Sequence, residues 1–310
     1  MTLPADAVRR EAESLGFAAC GIASLEDHPW AAALDRWLAA GHGGTMRYLH
    51  RQARKRKRPR LVDTAARVAV VVLDNYFADA PRAPGTLRVA RYAQGADYHD
   101  AVLRRLAALG GFLRAHGARV TRPYVDTGPV PERELARRAG LGWIGRNTML
   151  IRPGLGSWTF IGSIFTDLDL APDTPVTDDH CGTCTRCLDA CPTGAFIDDR
   201  VLDATRCLSY LTIEFKDPIP PPLAASLDGR VFGCDICNEV CPWNVRFAQP
   251  TPHPEFAPRT ATTTLTADAL ERMTESEFAR AFGDTALVRT GLARLRRNAR
   301  AATGDRSGTA

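Results

Sequence analysis

The feature that most constrains this chain is where its cysteines fall. Cys20 stands alone, and the other eight of the nine lie between Cys181 and Cys241. They form Cys181-x2-Cys184-x2-Cys187-x3-Cys191-Pro192 and Cys234-x2-Cys237-x3-Cys241-Pro242, with Cys207 between the two runs. A disulfide framework of this density belongs to small secreted domains, and a chain of 310 residues with 45% hydrophobic content is not one. In a reducing compartment, thiols at such spacing bind metal. The first run has the bacterial pattern in which three cysteines hold one [4Fe–4S] cluster and the fourth crosses to a second. The second run is one thiolate short, and Cys207 can supply it. Eight ligands then serve two clusters, Cys181, Cys184, Cys187 and Cys241 for one and Cys191, Cys207, Cys234 and Cys237 for the other. A single tetrahedral zinc site would leave half of these thiols idle and explain neither Cys-Pro step.

Two clusters conduct electrons without naming a reaction, so the long region before them should hold whatever is reduced. At about 150 residues per domain, the length suggests two domains with room for a small third. No stretch approaches the roughly 20 consecutive apolar residues of a membrane span. The first residues, Met1–Phe17, alternate charge with apolar positions, and no hydrophobic run follows Arg9-Arg10. A cytoplasmic protein without membrane partners is expected. The 40 basic residues against 35 acidic ones give a mild net charge of +5, but its distribution is uneven. Arg47–Arg60 holds eight basic residues and Arg289–Arg300 five, with no acid in either. Such patches attract polyanions. Part of the excess is compositional drift, because Arg outnumbers Lys 37 to 3.

The pattern before residue 170 alternates helix and strand. Helices are expected at Asp6–Leu15, Trp30–Ala40, Asp100–His116 and Pro131–Ala139. Strands are expected at Ala18–Ala23, Arg67–Leu73, Ala118–Tyr124, near Met149–Ile151 and at Thr159–Phe165. The unbroken apolar run Arg67–Leu73 predicts a strand covered on both faces. Ala171–Asp179 reads as a linker, Pro218–Pro222 as a loop, Thr266–Arg300 as helices, and Ala302–Ala310 as a frayed end. The organisation is 1–172, 173–246 and 247–310. Gly140-x-Gly142-x-x-Gly145 follows a helix where a dinucleotide site needs a strand. Asp126-Thr127-Gly128 lacks the second carboxylate of an aspartic protease. Asp97-x-His99-x-x-Val102 lacks the glycine of the motif by which a histidine ligates cobalamin cobalt.

Several stretches together carry a resemblance. They are Gly43–Leu49, Arg91–His99, Val125–Arg133, Ala139–Thr148 and Arg206–Glu214, and they resemble the epoxyqueuosine reductases over about Asp6 to Arg300. The resemblance implies an α/β (α+β) N-terminal domain of nitroreductase-like type that binds cobalamin. A ferredoxin-like domain with two [4Fe–4S] clusters and a helical, tRNA-contacting extension would follow. The implied activity is reduction of the epoxide of epoxyqueuosine to queuosine at the wobble position of tRNA with a GUN anticodon. Electrons would pass from an external low-potential donor through the clusters to cob(II)alamin.

By the same resemblance Asp126 is the proton donor, and burial after the strand Val120–Val125 is expected to raise its pKa toward neutrality. Cobalamin contacts are implied at Arg56, Tyr98, Asp126, Asn147, Ile151, Ser209 and Asp235. Arg56 and Asn147 would meet corrin amides or the phosphate tail, and Ile151 would offer an apolar edge. Ser209 and Asp235 adjoin Cys207 and Cys234 and would bridge cluster and corrin. Lys216, Arg289, Arg294, Arg296 and Arg297 are implied as tRNA phosphate contacts, with the modified base unstacked into the pocket. Two departures stand out. Arg58-Pro59 takes the place of an acidic residue before proline, and the chain stops soon after the Arg-rich helix without the HEAT-like extension of some relatives. A monomer is expected. The competing readings are a corrinoid reductive dehalogenase, an iron–sulfur electron-transfer module without cobalamin, and a zinc-ribbon RNA-binding protein.

Overall fold

A computed structural model describes residues 3–79 and 83–304. In chain order the first lobe contains α1 (Ala5–Ser14), β1 (Ala19–Ser24), α2 (Ala31–Ala39), α3 (Arg47–Lys57), β2 (Val68–Asn75), β3 (Arg88–Val89) and α4 (Tyr98–Ala115). After these come β4 (Thr121–Val125), α5 (Glu132–Arg138), the hairpin β5 (Trp143–Ile144) and β6 (Leu150–Ile151), and β7 (Thr159–Thr166). A four-stranded sheet of order β1-β2-β7-β4 sits at the centre, with every neighbouring pair antiparallel. All residues of β2 are buried, as its unbroken apolar run predicts. Alternation divides them between two cores. Val68, Val70 and Val72 pack with Val102, Leu106 and Leu109 of α4, whereas Ala69, Val71 and Leu73 pack with Leu135 and Ala136 of α5. Each fully buried Val or Leu contributes about 1.5–3 kcal/mol, so this strand anchors the lobe.

The cysteine lobe follows, with α6 (Arg186–Asp189), β8 (Phe196–Asp198), β9 (Val201–Leu202), α7 (Leu208–Ile213), α8 (Pro221–Ala224), β10 (Arg230–Phe232), α9 (Ile236–Glu239) and α10 (Pro242–Phe247). The short helices α6 and α9 carry Cys187 and Cys237, and they pack on each other. β10 pairs in parallel with β3, tying this lobe to the segment that leads into α4. The last helices are α11 (Thr260–Thr263), α12 (Ala267–Arg272), α13 (Glu275–Phe282) and α14 (Gly291–Thr303). They fold back, and Leu270, Phe282, Leu292 and Leu295 join the same core as Val8, Leu106 and Val231.

Three differences from the sequence reading have local causes. α4 begins at Tyr98 because the Asp97 carboxylate accepts the His99 N–H as an N-cap. The Pro218–Pro222 loop contains the start of α8, where proline occupies the first helical turn. The basic segment after Met46 is a full helix, α3. The linker Ala171–Asp179 has no regular structure but is stitched down: Asp173 pairs with the backbone of Ile22, and Arg137 with that of Val176. Of the end expected to fray, Ala302 and Thr303 complete α14, Gly304 turns left-handed behind it, and residues 305–310 lie outside the described residues.

Candidate active site and cluster lobe

The cysteine sulfurs fall into two neighbourhoods. Burial and the nearby thiols of Cys181, Cys241 and Cys184 push the Cys187 pKa up to about 11. Cys237 is raised by burial and by Cys234 and Cys207, and Cys207 in turn feels Cys191. Among the described residues no three His, Cys, Asp or Glu side chains stand close enough to hold one metal ion. Backbone N–H groups already aim at these sulfurs, from Ala195 to Cys191 at 3.3 Å, from Ile236 to Cys234 and from Asn244 to Cys241. Trp143 Nε1 lies 3.5 Å from Cys181 Sγ. Such donors stabilise thiolate charge and tune a cluster's potential.

A second centre forms where β4 ends. Asp126 follows Val125 with φ at 55°, a left-handed conformation that costs a non-glycine residue about 1–3 kcal/mol. Its surroundings hold it there. The Tyr98 hydroxyl donates to Asp126 Oδ2 at 2.8 Å, His99 Nε2 lies 3.4 Å from the same oxygen, and the Asp126 N–H donates to Glu132. His99 Nδ1 contacts Asp97 Oδ1 at 2.7 Å. The N-terminus of α4, the end of β4 and the start of α5 thus converge on one carboxylate. Tyr98 is fixed by stacking on Phe160, with ring centroids 4.3 Å apart and planes at 7°. Arg56 of α3 clamps the following loop by donating to Gly128 O at 3.1 Å and Val130 O at 3.0 Å.

These groups surround an opening to solvent at Asp126 rather than a sealed interior. The Asp126 side chain is 53% exposed, yet Tyr48, Arg56, Tyr92, Glu132, Arg133 and Arg289 all sense its charge. Tyr92 senses Asp235 as well, which links this opening to the cysteine lobe. Burial alone would lower the His99 pKa, but Asp126 and Asp97 outweigh it and push it up to about 9. Burial and the Asp126 charge push Glu132 up to about 8. The expected rise at Asp126 is reversed: contact with His99 outweighs burial, and the Tyr98 hydroxyl adds to it, so this carboxyl stays below the usual range. The raised carboxyl is its neighbour Glu132.

The other expected residues divide by place. Asn147 and Ile151 are buried and line a cavity of about 200 Å³ against Cys181, Cys184, Cys187 and Cys241. Asn147 Nδ2 reaches Asn238 Oδ1 at 3.3 Å. Asp235 accepts the Arg91 N–H at 2.7 Å, and burial pushes its pKa up to about 6. Ser209 is half-buried beside Cys207. Lys216 is exposed, and Arg289 pairs with Glu214 at the rim of the opening. Arg294, Arg296 and Arg297 have turned inward. Arg294 donates to Thr290 O and Ile213 O, Arg296 to Leu270 O and Met273 O, and Arg297 to Leu211 O, Phe215 O and Asp217 O. Desolvation lowers Arg297 to about 10. These three are staples across helix ends, because carbonyls without helical partners capture guanidinium donors. Sequence reasoning weighed His99 only as a metal ligand and passed over Glu132; the carboxylate two residues before His99 was the available signal.

An α/β lobe with an acid-lined opening, joined to a lobe holding two sets of four thiols, defines an iron–sulfur oxidoreductase. Residues 180–244 match the model of a 4Fe-4S double cluster binding domain, and residues 56–127 match that of epoxyqueuosine reductase QueG, DUF1730. The epoxyqueuosine reductase of Xanthomonas campestris pv. campestris is 44% identical over 317 residues, covering 99% of this chain and 89% of that one. A crystal structure of epoxyqueuosine reductase with an epoxyqueuosine-modified tRNA-Tyr stem loop superposes with a TM-score of 0.85, at 32% identity over 96% of this chain and 80% of that one. The Bacillus subtilis enzyme, solved with its aspartate-bearing catalytic loop swung out of the active site, gives a TM-score of 0.86 at 30% identity over 96% of this chain and 80% of that chain. The chain belongs to the epoxyqueuosine reductase family.

Proposed function

We propose that this protein removes the epoxide oxygen of epoxyqueuosine in tRNA, with cobalamin bound in the opening at Asp126 and two [4Fe–4S] clusters in the cysteine lobe. The observation that carries the reading is Asp126 itself, strained, solvent-accessible, and gripped by Tyr98 and His99 beside a thiol-rich lobe. The catalytic loop of the B. subtilis relative also bears an aspartate. The residues fit the cofactors: two four-thiol neighbourhoods meet backbone donors, and beside Asp126 the Arg56 Nε is buried without a partner. Cluster ligands are Cys181, Cys184, Cys187 and Cys241, then Cys191, Cys207, Cys234 and Cys237. Residues 1–172 form the nitroreductase-like corrin domain, 173–246 the ferredoxin-like domain, and 247–310 the extension. Ser209 and Asp235 lie where corrin and the second cluster would meet.

Converting an epoxide to an alkene breaks both C–O bonds, takes two electrons and two protons, and releases the oxygen as water. Cobalamin bound there supplies a low-potential cobalt centre for electron delivery to carbon, and the clusters, when bound, supply one-electron steps from an external donor. This chain's own residues supply the protons. With pKa values of about 9 and about 8, His99 and Glu132 both hold a proton at neutral pH, beside Asp126. Asp126, ionised at rest, relays to the leaving oxygen a proton drawn from His99, which Asp97 orients. The test is anaerobic incubation of epoxyqueuosine-bearing tRNA with cluster-loaded protein, reductant and cobalamin, followed by nucleoside mass analysis. Loss of one oxygen that depends on cobalamin is expected. An unchanged nucleoside, with clusters and cobalamin demonstrably loaded, would overturn the reading.

A further inference from the structure

We propose that the outward face of α3 is the contact for the RNA phosphate backbone flanking the nucleotide that enters the Asp126 opening. This rests on the tRNA reading above and adds where the strand runs. α3 buries none of its residues, and its two faces differ. Tyr48, Gln52 and Arg56, spaced by four, face the opening: Tyr48 senses the Asp126 charge, and Gln52 accepts from Arg56 as Arg56 clamps the loop. Arg47, Arg51, Arg54 and Lys55 form the other face, all exposed, and among the described residues none has a side-chain partner.

An ordinary solvated helix intersperses acids with its bases. α3 contains no acid, and Arg47/Arg51 and Arg51/Lys55 are like-charge pairs at i,i+4, an arrangement that costs helix stability. The cost is offset when a polyanion lies across the stripe. Four residues rise about 6 Å along a helix, a step suited to successive phosphates of one strand. The helix with its side chains is about 10–12 Å across, so a strand on the outer face lies one helix width from Asp126. The Arg-rich α14 does not compete for this role, because Arg294, Arg296 and Arg297 are occupied by backbone carbonyls.

The test compares two quadruple variants by anisotropy of an epoxyqueuosine-modified anticodon stem loop from 50 to 300 mM salt. One carries Arg47→Gln, Arg51→Gln, Arg54→Gln and Lys55→Gln; the control carries Arg10→Gln, Arg104→Gln, Arg272→Gln and Arg280→Gln. Each cation contacting single-stranded phosphate adds about 0.7 to the salt slope. The α3 variant should therefore lose about 3 from the slope and bind at least about tenfold more weakly, with an unchanged melting midpoint. Replacing the three arginines by lysine should restore most of the slope. A slope and affinity equal to the control would overturn the proposal while leaving the tRNA reading intact. Loss of binding to anionic vesicles with RNA binding unchanged would overturn it too. Failure of the unmodified protein to bind the stem loop would overturn both.

Discussion

Helix α4 reaches two aspartate–histidine pairs of different character. Near its middle, Arg105 donates to Asp74 and Glu255, and His253 Nε2 lies 3.1 Å from Asp74 Oδ1. The Asp74 side chain is fully buried at the end of β2, where this cluster fastens the segment before the C-terminal helices to the central sheet. At the N-terminus of α4, Asp126 meets His99 where the carboxylate is open to solvent, with a tyrosine and a second carboxyl group as its other neighbours. The chemistry of the pairs is alike; the third partner differs. A guanidinium does not release its proton in proteins, so Arg105 has none to hand on to Asp74. Around Asp126, His99 and Glu132 titrate at about 9 and about 8, so a proton there can move.

The predictions separate the two pairs. The largest effect belongs to Asp126→Asn, which should lower turnover about 10²–10⁴-fold while changing urea stability by about 1 kcal/mol or less, because the side chain is half exposed. Asp74→Ala should do the reverse. Stranding Arg105 and His253 should cost about 3–5 kcal/mol of stability, and the fraction that remains folded should turn over normally.

pH gives a finer distinction. Turnover should fall as pH rises through about 8 and about 9, the values of Glu132 and His99. Both groups hold protons in the folded state that the unfolded chain would release. Stability therefore declines between 4.5 and about 8 for Glu132 and between 6.5 and about 9 for His99, with the full contribution present below each lower value. His99→Gln should remove the higher limb of the rate profile. Glu132→Gln should have the smallest effect, flattening the stability slope between pH 4.5 and about 8 and lowering turnover less than tenfold.

Much of the architecture was legible. The β2 run predicted two covered faces because a strand's side-chain period of two shows directly in sequence. The cysteine spacing named the metal chemistry because each short run, Cys181-x2-Cys184-x2-Cys187 and Cys234-x2-Cys237, keeps several thiols within a few residues of one another. Asp126 was legible as a residue, but its protonation was not: that depends on His99 and Glu132, which reach it from two other elements. Charge misled for the same reason. The segments around Arg51 and Arg296 look alike as sequence, yet one helix stays exposed and the other ends against carbonyls of Leu270 and Met273. No local pattern distinguishes them.

The central claim is that the open pair, and not the sealed one, delivers the proton. The direct measurement is single-turnover deoxygenation of an epoxyqueuosine-modified stem loop by cluster- and cobalamin-loaded Asp126→Asn and Asp74→Asn, with rates normalised to folded protein. The account predicts a rate at least about a hundredfold below the parent for Asp126→Asn and a parental rate for Asp74→Asn. A parental rate for Asp126→Asn, with cobalamin uptake and RNA binding intact, would contradict it.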